Sequence, residues 1–327
     1  MRQYKLLGIQ PVYALSLAGA AIAALVAACA NDSARICRVG ADCASGTCGS
    51  DGQCVPETIK PGLDGSSGGD GGPDLDSGPS KDAGGDSSLP GCTPNKDGII
   101  TRDEVPIAPG LHATYKIGKD ENVSTAGNPG TNGRRNWDYS GALPSDVSVI
   151  VETQALTGKW YEAKFANASY ASRLSQSSDL IGIFETSPGA LLLRGVVSPT
   201  EAAATKTELT NTPPVAILNF PLKVGATWTT ATKVSGTAQG TLLVGTYDEK
   251  YESKVDAAGE LKTPLGTFEV LRVQVLLTRT IGFFPPTTLR TFAFVTECYG
   301  TIATVTSAQD EANVEFTRAA EIRRISP

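Results

Sequence analysis

The sequence predicts a mainly β protein in which residues 92–327 form an antiparallel β-barrel or a sandwich-like domain. Apolar and polar residues alternate in segments such as 268–277 (FEVLRVQVLL) and 250–256 (KYESKVD), as in strands with one buried face. Turn signals separate such segments at 256–259 (DAAG), 264–266 (PLG) and 284–287 (FPPT). This spacing predicts about ten to twelve strands, joined mostly in hairpins. Only Trp160–Leu174 has apolar residues at helical spacing, which predicts one short helix.

Length and charge narrow the classes of function. The chain has 327 residues, enough for one or two domains, and a formal net charge of −6, which argues against a nucleic-acid partner. His112 is the one histidine of the sequence. Catalytic triads and zinc sites that depend on histidine therefore lack the residues they need.

The amino terminus has the pattern of an export signal. Two basic residues precede an apolar run that ends at Ala28, which predicts a signal peptide over residues 1–28. Cys29 and the three residues before it (VAAC) resemble the lipobox of bacterial lipoproteins, which implies that Cys29 is acylated and anchors the protein in a membrane. The alternative is an uncleaved signal anchor, because about 20 apolar residues can span a bilayer. Since the residue after the cysteine is Ala30 and not an acidic one, the resemblance favours the outer membrane over the inner membrane.

A cysteine-rich module follows the lipobox. The chain has seven cysteines, so acylation of Cys29 leaves six, and in an exported protein these predict disulfides. Four of them lie within residues 29–60, at Cys37, Cys43, Cys48 and Cys54. Two disulfides would hold this module together in one of three connectivities, whereas a zinc site would need closer cysteine pairs. The module resembles short segments behind the lipoboxes of myxobacterial surface proteins.

A linker joins this module to the β domain. Glycine, aspartate, serine and proline make up 26 of the 31 residues in 61–91. Such a composition buries too little apolar surface to offset the entropy of ordering, so we expect a disordered segment. Its root-mean-square span would be about 30 Å.

Residues 93–104 (TPNKDGIITRDE) resemble the twelve-residue calcium loop of EF-hand and dockerin proteins. With Gly98 at the position of the loop glycine, the ligand positions fall on Thr93, Asn95, Asp97, Ile99, Thr101 and Glu104. A threonine replaces the usual first aspartate, and nearby prolines exclude flanking helices. Any calcium affinity should therefore be weak, with a dissociation constant of about 10⁻⁴–10⁻³ M. The alternative is a polar Asx turn that leads into the β domain.

Cys92 and Cys298 are the two cysteines of the β domain. A disulfide between them would tie the start of the domain to a late strand, and the chain-entropy model assigns such a long loop about 4–5 kcal/mol. The alternative, a catalytic thiol, would need a base, for which His112 is the one histidine available. We therefore expect the disulfide.

Several segments of residues 92–327 resemble an uncharacterised family of myxobacterial surface lipoproteins. They include RRNWDYSG (134–141), NFPLKVGATW (219–228), GELKTPLGTFEVLRV (259–273) and RTFAFVTECYGTIA (290–303). This resemblance implies no particular activity. The second and third segments are also loosely similar to half-barrel proteins of the lipoprotein-carrier kind, whose concave sheet can hold acyl chains.

Together these features predict a membrane-anchored envelope lipoprotein that acts as a non-enzymatic binding or structural module. Its partner would be an envelope protein, a polysaccharide or a lipid, and Ca²⁺ is the one cofactor that the sequence suggests. The alternative is a carrier of a lipid or apolar ligand, with a barrel interior lined by Trp228, Leu242, Val273 and Phe294. A hydrolase with paired carboxylates is a third hypothesis. Its most site-like cluster, residues 137–139 (WDY), is explained equally well by a structural turn.

Overall fold

The structure is a computed structural model that describes residues 92–174, 179–202, 205–238, 241–242 and 246–327. The signal peptide, the cysteine-rich module and the linker lie outside the described residues. The same holds for Cys29, Cys37, Cys43, Cys48 and Cys54. What the sequence predicts for these segments stays a prediction.

The described residues are mainly β. Their strands are β1 (Ile99–Ile100), β2 (His112–Asn122), β3 (Asn128–Pro129), β4 (Arg135–Asp138), β5 (Val147–Gln154), β6 (Tyr170–Arg173), β7 (Ile181–Thr186), β8 (Ala190–Val197), β9 (Glu208–Asn219), β10 (Leu222–Lys223), β11 (Thr227–Ala238), β12 (Thr241–Leu242), β13 (Tyr247–Lys262), β14 (Thr267–Thr280), β15 (Thr287–Thr296), β16 (Gly300–Thr306) and β17 (Arg318–Ser326). Helical structure in the described chain is limited to three 3₁₀ turns, Arg102–Glu104, Thr131–Gly133 and Glu162–Lys164. No helix among these residues is long and apolar enough to cross a membrane.

Within the described residues, twelve antiparallel strands close into a barrel. Around the barrel their order is β11-β9-β8-β7-β6-β5-β2-β17-β16-β15-β14-β13. The barrel closes where β13 pairs again with β11, from Thr227 opposite Lys254 to Val234 opposite Tyr247. The predicted fold class is therefore confirmed, and the structure is a barrel.

A short hairpin, β3–β4, lies against one edge of this barrel. Strand β4 runs parallel to the end of β13, with Arg135 opposite Gly259. A Cβ atom at Gly259 would overlap the carbonyl oxygen of Arg135, so the close approach requires glycine here. The turn predicted at 256–259 is therefore wrong. These residues continue β13 through a bulge between Val255 and Ala257.

The helix predicted over Trp160–Leu174 is also wrong, since the segment contains one 3₁₀ turn followed by β6. Its apolar residues pack in two different cores, whereas the apolar residues on one helical face would pack in a single core. Tyr161 and Ala171 pack in an outer cluster with Ile183, whereas Tyr170 stacks on Phe184 inside the barrel, with ring centroids 5.1 Å apart. The turns predicted at 264–266 and 284–287 do separate β13, β14 and β15.

Alternation along the strands produces two packed faces. On β13, Tyr251 and Val255 point into the barrel, as the period of two predicts. On β15, however, Phe294 packs outside the barrel, where its ring contacts the Trp137 ring edge to face at a centroid distance of 5.0 Å. The prediction that Phe294 lines the interior is therefore wrong, because the β3–β4 hairpin gives the outer face of β15 an apolar cover.

The predicted disulfide between Cys92 and Cys298 is present, with the two Cα atoms 5.6 Å apart. Cys298 lies in the turn that follows β15. The exposed Phe283 and Phe284 lie in the loop that precedes β15. The start of the domain and this aromatic loop are therefore at opposite ends of the barrel.

Candidate functional site

A cavity of about 270 Å³ lies inside the barrel. Its walls come from strands on several sides, among them β2, β5, β6, β7, β14 and β15. These strands contribute Tyr115, Val151, Tyr170, Phe184, Val273 and Ala293. Of the four residues expected to line the interior, Val273 does so, Trp228 packs against the interior core, and the side chain of Leu242 lies outside the described part of the chain.

Small side chains leave this space open. A row of inward-facing positions crosses the sheet from Val273 through Ala293 and Thr304 to Arg323. Ala293 and Thr304 are the small members of that row, and both border the cavity. On β5, the inward-facing Val151 is only half-buried, whereas Val273 is fully buried. The free volume therefore lies on the β2–β5 side, while large side chains fill the other side.

One polar patch interrupts the apolar lining. The hydroxyl of Tyr115 donates a hydrogen bond to the carbonyl oxygen of Thr301 at 2.9 Å. Burial raises the pKa of this phenol to about 12, although the nearby charge of Arg323 opposes the rise. Tyr115 therefore stays protonated at neutral pH and can also accept a hydrogen bond from a ligand.

Arg323 supplies the charge of this patch. Its Nε donates to Oε1 of Glu321 at 2.6 Å, and its Nη2 donates to the carbonyl oxygen of Leu174. Glu321 is 3 % exposed, and its Oε2 has no hydrogen-bond partner in the described structure. The pair is therefore close to neutral, but one buried carboxylate oxygen is left to accept a further hydrogen bond.

A second polar cluster fills the barrel interior near the loop that contains Phe283. Nε of Arg279 donates to Oε1 of Glu249 at 2.8 Å, and the hydroxyl of Tyr251 donates to Oε2 at 2.7 Å. Burial raises the pKa of Glu249, while Arg279 and Tyr251 partly offset this rise. These mutual contacts occupy the cluster, so we assign it to packing at this end of the barrel.

The loop suggested for calcium packs beside the disulfide. Glu104 accepts hydrogen bonds from Nδ2 of Asn95 at 2.8 Å and from both the backbone N–H and the hydroxyl of Thr101 at 2.8 Å. Asn95 Oδ1 accepts from the N–H of Asp97, and Asp97 Oδ1 accepts from the N–H of Ile99. These hydrogen bonds form two Asx turns, where the alternative interpretation expected one.

The loop thus brings five of the six candidate ligands into one hydrogen-bonded network, and Thr93 lies exposed at its start. Both oxygens of Glu104 are already engaged within the loop, so a cation would have to displace these hydrogen bonds. In the described chain, no group of three or more histidine, cysteine or acidic residues is arranged to hold a metal ion. Calcium binding stays a prediction.

The cluster at residues 137–139 has structural roles. Nε1 of Trp137 donates to the carbonyl oxygen of Thr125 at 2.8 Å, and the hydroxyl of Tyr139 donates to the carbonyl oxygen of Ser124 at 3.0 Å. These bonds hold the loop after β2 against the β3–β4 hairpin, as expected for a structural turn.

Sequence reasoning missed Tyr115, Glu321 and Arg323. Glu321 and Arg323 occupy alternate positions of β17 and both face inward, while Ile322 between them packs outside. A pair of opposite charges two residues apart, with the apolar Ile322 between them, was the available signal. It could not be recognised as an interior site without knowing that β17 belongs to a closed barrel.

Comparisons with known proteins give little further information. No family model matches the chain, and no curated protein matches it. Among solved structures, a crystal structure of a candidate lipoprotein from Parabacteroides distasonis is similar over 67 % of this chain and 95 % of that chain, at 11 % sequence identity and a TM-score of 0.33. A TM-score this low does not establish a shared fold.

Proposed function

We propose that this protein is a non-enzymatic binding module of a bacterial cell envelope that holds a small apolar or amphipathic ligand inside its barrel. The observation that carries this proposal is the cavity of about 270 Å³ with its mainly apolar lining. Pockets for drug-sized ligands measure about 300–1,000 Å³. The cavity is therefore matched to one slim chain or one ring system, and it is too small for a whole phospholipid.

The polar patch supports a ligand with a polar end. Tyr115 and Arg323 are neighbours on the wall of a mainly apolar space, and Glu321 pairs with Arg323 behind this wall. A ligand with a hydroxyl or protonated acid group could donate to the hydroxyl oxygen of Tyr115 while its apolar part contacts Val151 and Val273. This arrangement favours the carrier alternative over a purely structural module.

The proposed attachment of the protein to a membrane is inferred from the sequence. Acylation of Cys29 would anchor the chain, with the outer membrane favoured, and residues 61–91 would separate the anchor from the barrel. An envelope protein or polysaccharide remains the proposed partner of the outer surface. The myxobacterial family resemblance belongs to this proposal as well.

Native mass spectrometry tests the interior site. The chain would be exported from residue 30 onward behind a non-acylated signal, purified without detergent and weighed intact. We expect an added mass in the range of a fatty acid or a similar small amphiphile. A protein that carries no added mass, both as purified and after incubation with oleic acid, would contradict the proposal.

Two neighbouring residues of β5 supply matched variants. Val151 borders the cavity, whereas Ile150 is 64 % exposed on the outside. Val151→Phe should fill the cavity and abolish the added mass, and Ile150→Phe should leave it unchanged. Equal retention of ligand by both variants would place the ligand somewhere other than the barrel interior.

Weak calcium binding at residues 93–104 is a separate proposal. Isothermal titration with millimolar Ca²⁺ should give a heat that Glu104→Gln removes and that Asp103→Asn, at a position that is not a ligand in the calcium loop, leaves intact. If the native sequence gives no heat, calcium binding is contradicted, and the Asx-turn interpretation is the one that stands.

A further inference from the structure

A second pocket lies on the outer wall of the barrel. Its volume is about 240 Å³, and it is separate from the interior cavity. It forms where the end of β2, the β3–β4 hairpin, the loop after β4 and the outward face of β17 meet. We call it the outer-wall pocket. Its polar lining consists of Asn122, Ser124, Asn128, Asn136 and Asp138.

The polar groups converge because of strand pairing. Asn128 on β3 lies directly opposite Asn136 on β4, so their side chains share one face of the hairpin. Asp138 lies two residues further along β4 and shares that face. All three residues are exposed. The pocket thus presents several amide donors and acceptors beside one carboxylate.

The floor of the outer-wall pocket is apolar and rigid. Leu143 contributes the accessible aliphatic surface, and the buried Ile322 and Tyr139 pack in the same cluster. Nη1 of Arg324 donates to the carbonyl oxygens of Tyr139 at 3.1 Å and Gly141 at 2.7 Å, which fixes the loop after β4. A ligand would therefore meet a preformed surface and would not have to order it.

We propose that the outer-wall pocket binds a single neutral sugar ring. Neighbouring hydroxyls of a sugar act as both donors and acceptors, and the carboxamides of Asn128 and Asn136 offer the complementary groups on adjacent strands. The C–H face of the ring would lie on Leu143. At about 240 Å³, the pocket accommodates one ring and not an extended chain.

The charges around the pocket favour a neutral ligand. Arg324 is fully buried, and its Nη atoms are paired with Asp146 and with the carbonyl oxygens of Tyr139 and Gly141. Its Nε has no hydrogen-bond partner among the described residues, but this atom is enclosed, so an anion in the pocket would not reach it. Hydrogen bonds from Ser140 lower the pKa of Asp138, which keeps this carboxylate ionised. Asp138 would repel an anion, and the exposed polar groups beside it are neutral.

Saturation-transfer NMR on the full-length chain tests this site, in a detergent without a sugar headgroup. The probes are the methyl glycosides of glucose, galactose, mannose and N-acetylglucosamine. We expect at least one probe to receive saturation, and Asn136→Ala to weaken its binding about fivefold to tenfold, as the loss of one or two neutral hydrogen bonds predicts. Asn219→Ala, a substitution of an exposed asparagine at the end of β9, should have no effect.

Each other outcome overturns the proposal. If none of the four probes binds, or if Asn136→Ala and Asn219→Ala weaken binding equally, the pocket is not a sugar site. Asp138→Asn keeps the size and hydrogen bonding of the side chain and removes its charge, so sugar binding should survive it. If choline binds and this variant abolishes that binding while sugars fail, the pocket takes cations instead. The barrel cavity has no part in this test, so a negative result leaves the interior site unaffected.

Discussion

Arg272 on β14 makes the densest set of polar contacts on the outer face of the barrel. Its guanidinium donates to Asp256 through Nε at 2.9 Å and through Nη2 at 2.7 Å, and to the carbonyl oxygen of Thr125 at 2.6 Å. It also pairs with Glu315 at 2.7 Å and lies over the ring of Phe292. The side chain is 3 % exposed, so its charge depends on these partners.

We predict that Arg272→Ala lowers the free energy of unfolding by about 3–5 kcal/mol, because the partner carboxylates lose their counter-charge in a buried site. Urea unfolding of the exported, non-acylated chain measures the change. Arg318→Ala removes an exposed arginine and is the matched control, with an expected change within about 0.5 kcal/mol. A similar loss for both variants would show that the contacts of Arg272 add little to stability.

The same cluster predicts a dependence on pH. Burial raises the pKa of Glu315, but hydrogen bonds from Arg272 and Thr125 lower it more, so that the pKa lies below its ordinary value of 4.5. Above pH 4.5 the carboxyl group is ionised in both folded and unfolded chains, and its stabilising effect is complete. As pH falls below 4.5, the unfolded chain binds the proton first, and this contribution is lost.

Glu315→Gln cannot titrate at this position. We therefore expect the stability difference between the native chain and this variant to be constant above pH 4.5 and to shrink below it. Urea unfolding at a series of pH values measures the difference. A difference that stays constant down to the acid unfolding of the protein would contradict the lowered pKa.

The sequence could not have revealed the contacts of Arg272, although it did predict the disulfide. Cys92 and Cys298 were predictable as a pair because the domain holds no other cysteine. Arg272 and Glu315 lie 43 residues apart in a chain rich in charges, and nothing distinguishes this pair from many others. Their contact depends on the register of the closed barrel, which no local pattern specifies.

At the scale of elements, the β3–β4 hairpin depends on one glycine of β13. A Cβ atom at Gly259 would overlap the carbonyl oxygen of Arg135, and that backbone cannot move without breaking the parallel pairing of β4. We predict that Gly259→Ala destabilises the protein by about 1–3 kcal/mol. Amide hydrogen exchange should become faster in residues 135–138 as the hairpin detaches.

Gly266→Ala is the control for this prediction. A Cβ atom at Gly266 would lie 3.8 Å from the ring of Phe268, which is an ordinary contact. Its effect on stability should stay within about 1 kcal/mol, with unchanged exchange in β4. Protection of residues 135–138 that is equal in both variants would argue against the close approach.

Strands were predictable from the sequence where apolar and polar residues alternate strongly, as in β13 and β14. The prediction failed where local signals conflict with tertiary packing. The segment 256–259 has turn residues, yet it continues β13 through a bulge because it pairs with β14, and β4 pairs with the strand from Gly259 onward. Trp160–Leu174 has a helical spacing, yet its apolar groups are divided between the interior and the outer cluster.

At the scale of the whole molecule, the two ends of the barrel differ. At one end the amino-terminal segment is held by the disulfide and by two hydrogen-bonded contacts. The N–H of Cys298 donates to the carbonyl oxygen of Glu104 at 2.7 Å. The N–H of Lys96 donates to the carboxylate of Glu297. At the other end, Phe283 and Phe284 are exposed. The covalently held amino-terminal segment and the exposed aromatic loop therefore lie at opposite ends of the described barrel.

The disulfide closes a loop of 206 residues that includes nearly the whole barrel. Because the reduced, unfolded chain gains the conformational freedom of that loop, the chain-entropy model predicts that Cys92→Ser/Cys298→Ser lowers the free energy of unfolding by about 5 kcal/mol. Urea unfolding of this double variant and of the native chain, with and without a phosphine reductant, measures the effect. The reductant should destabilise the native chain and leave the double variant unchanged. If the variant unfolds at the same urea concentration as the oxidised native chain, the barrel is closed by strand pairing alone, and the covalent link serves only to hold the amino-terminal segment in place.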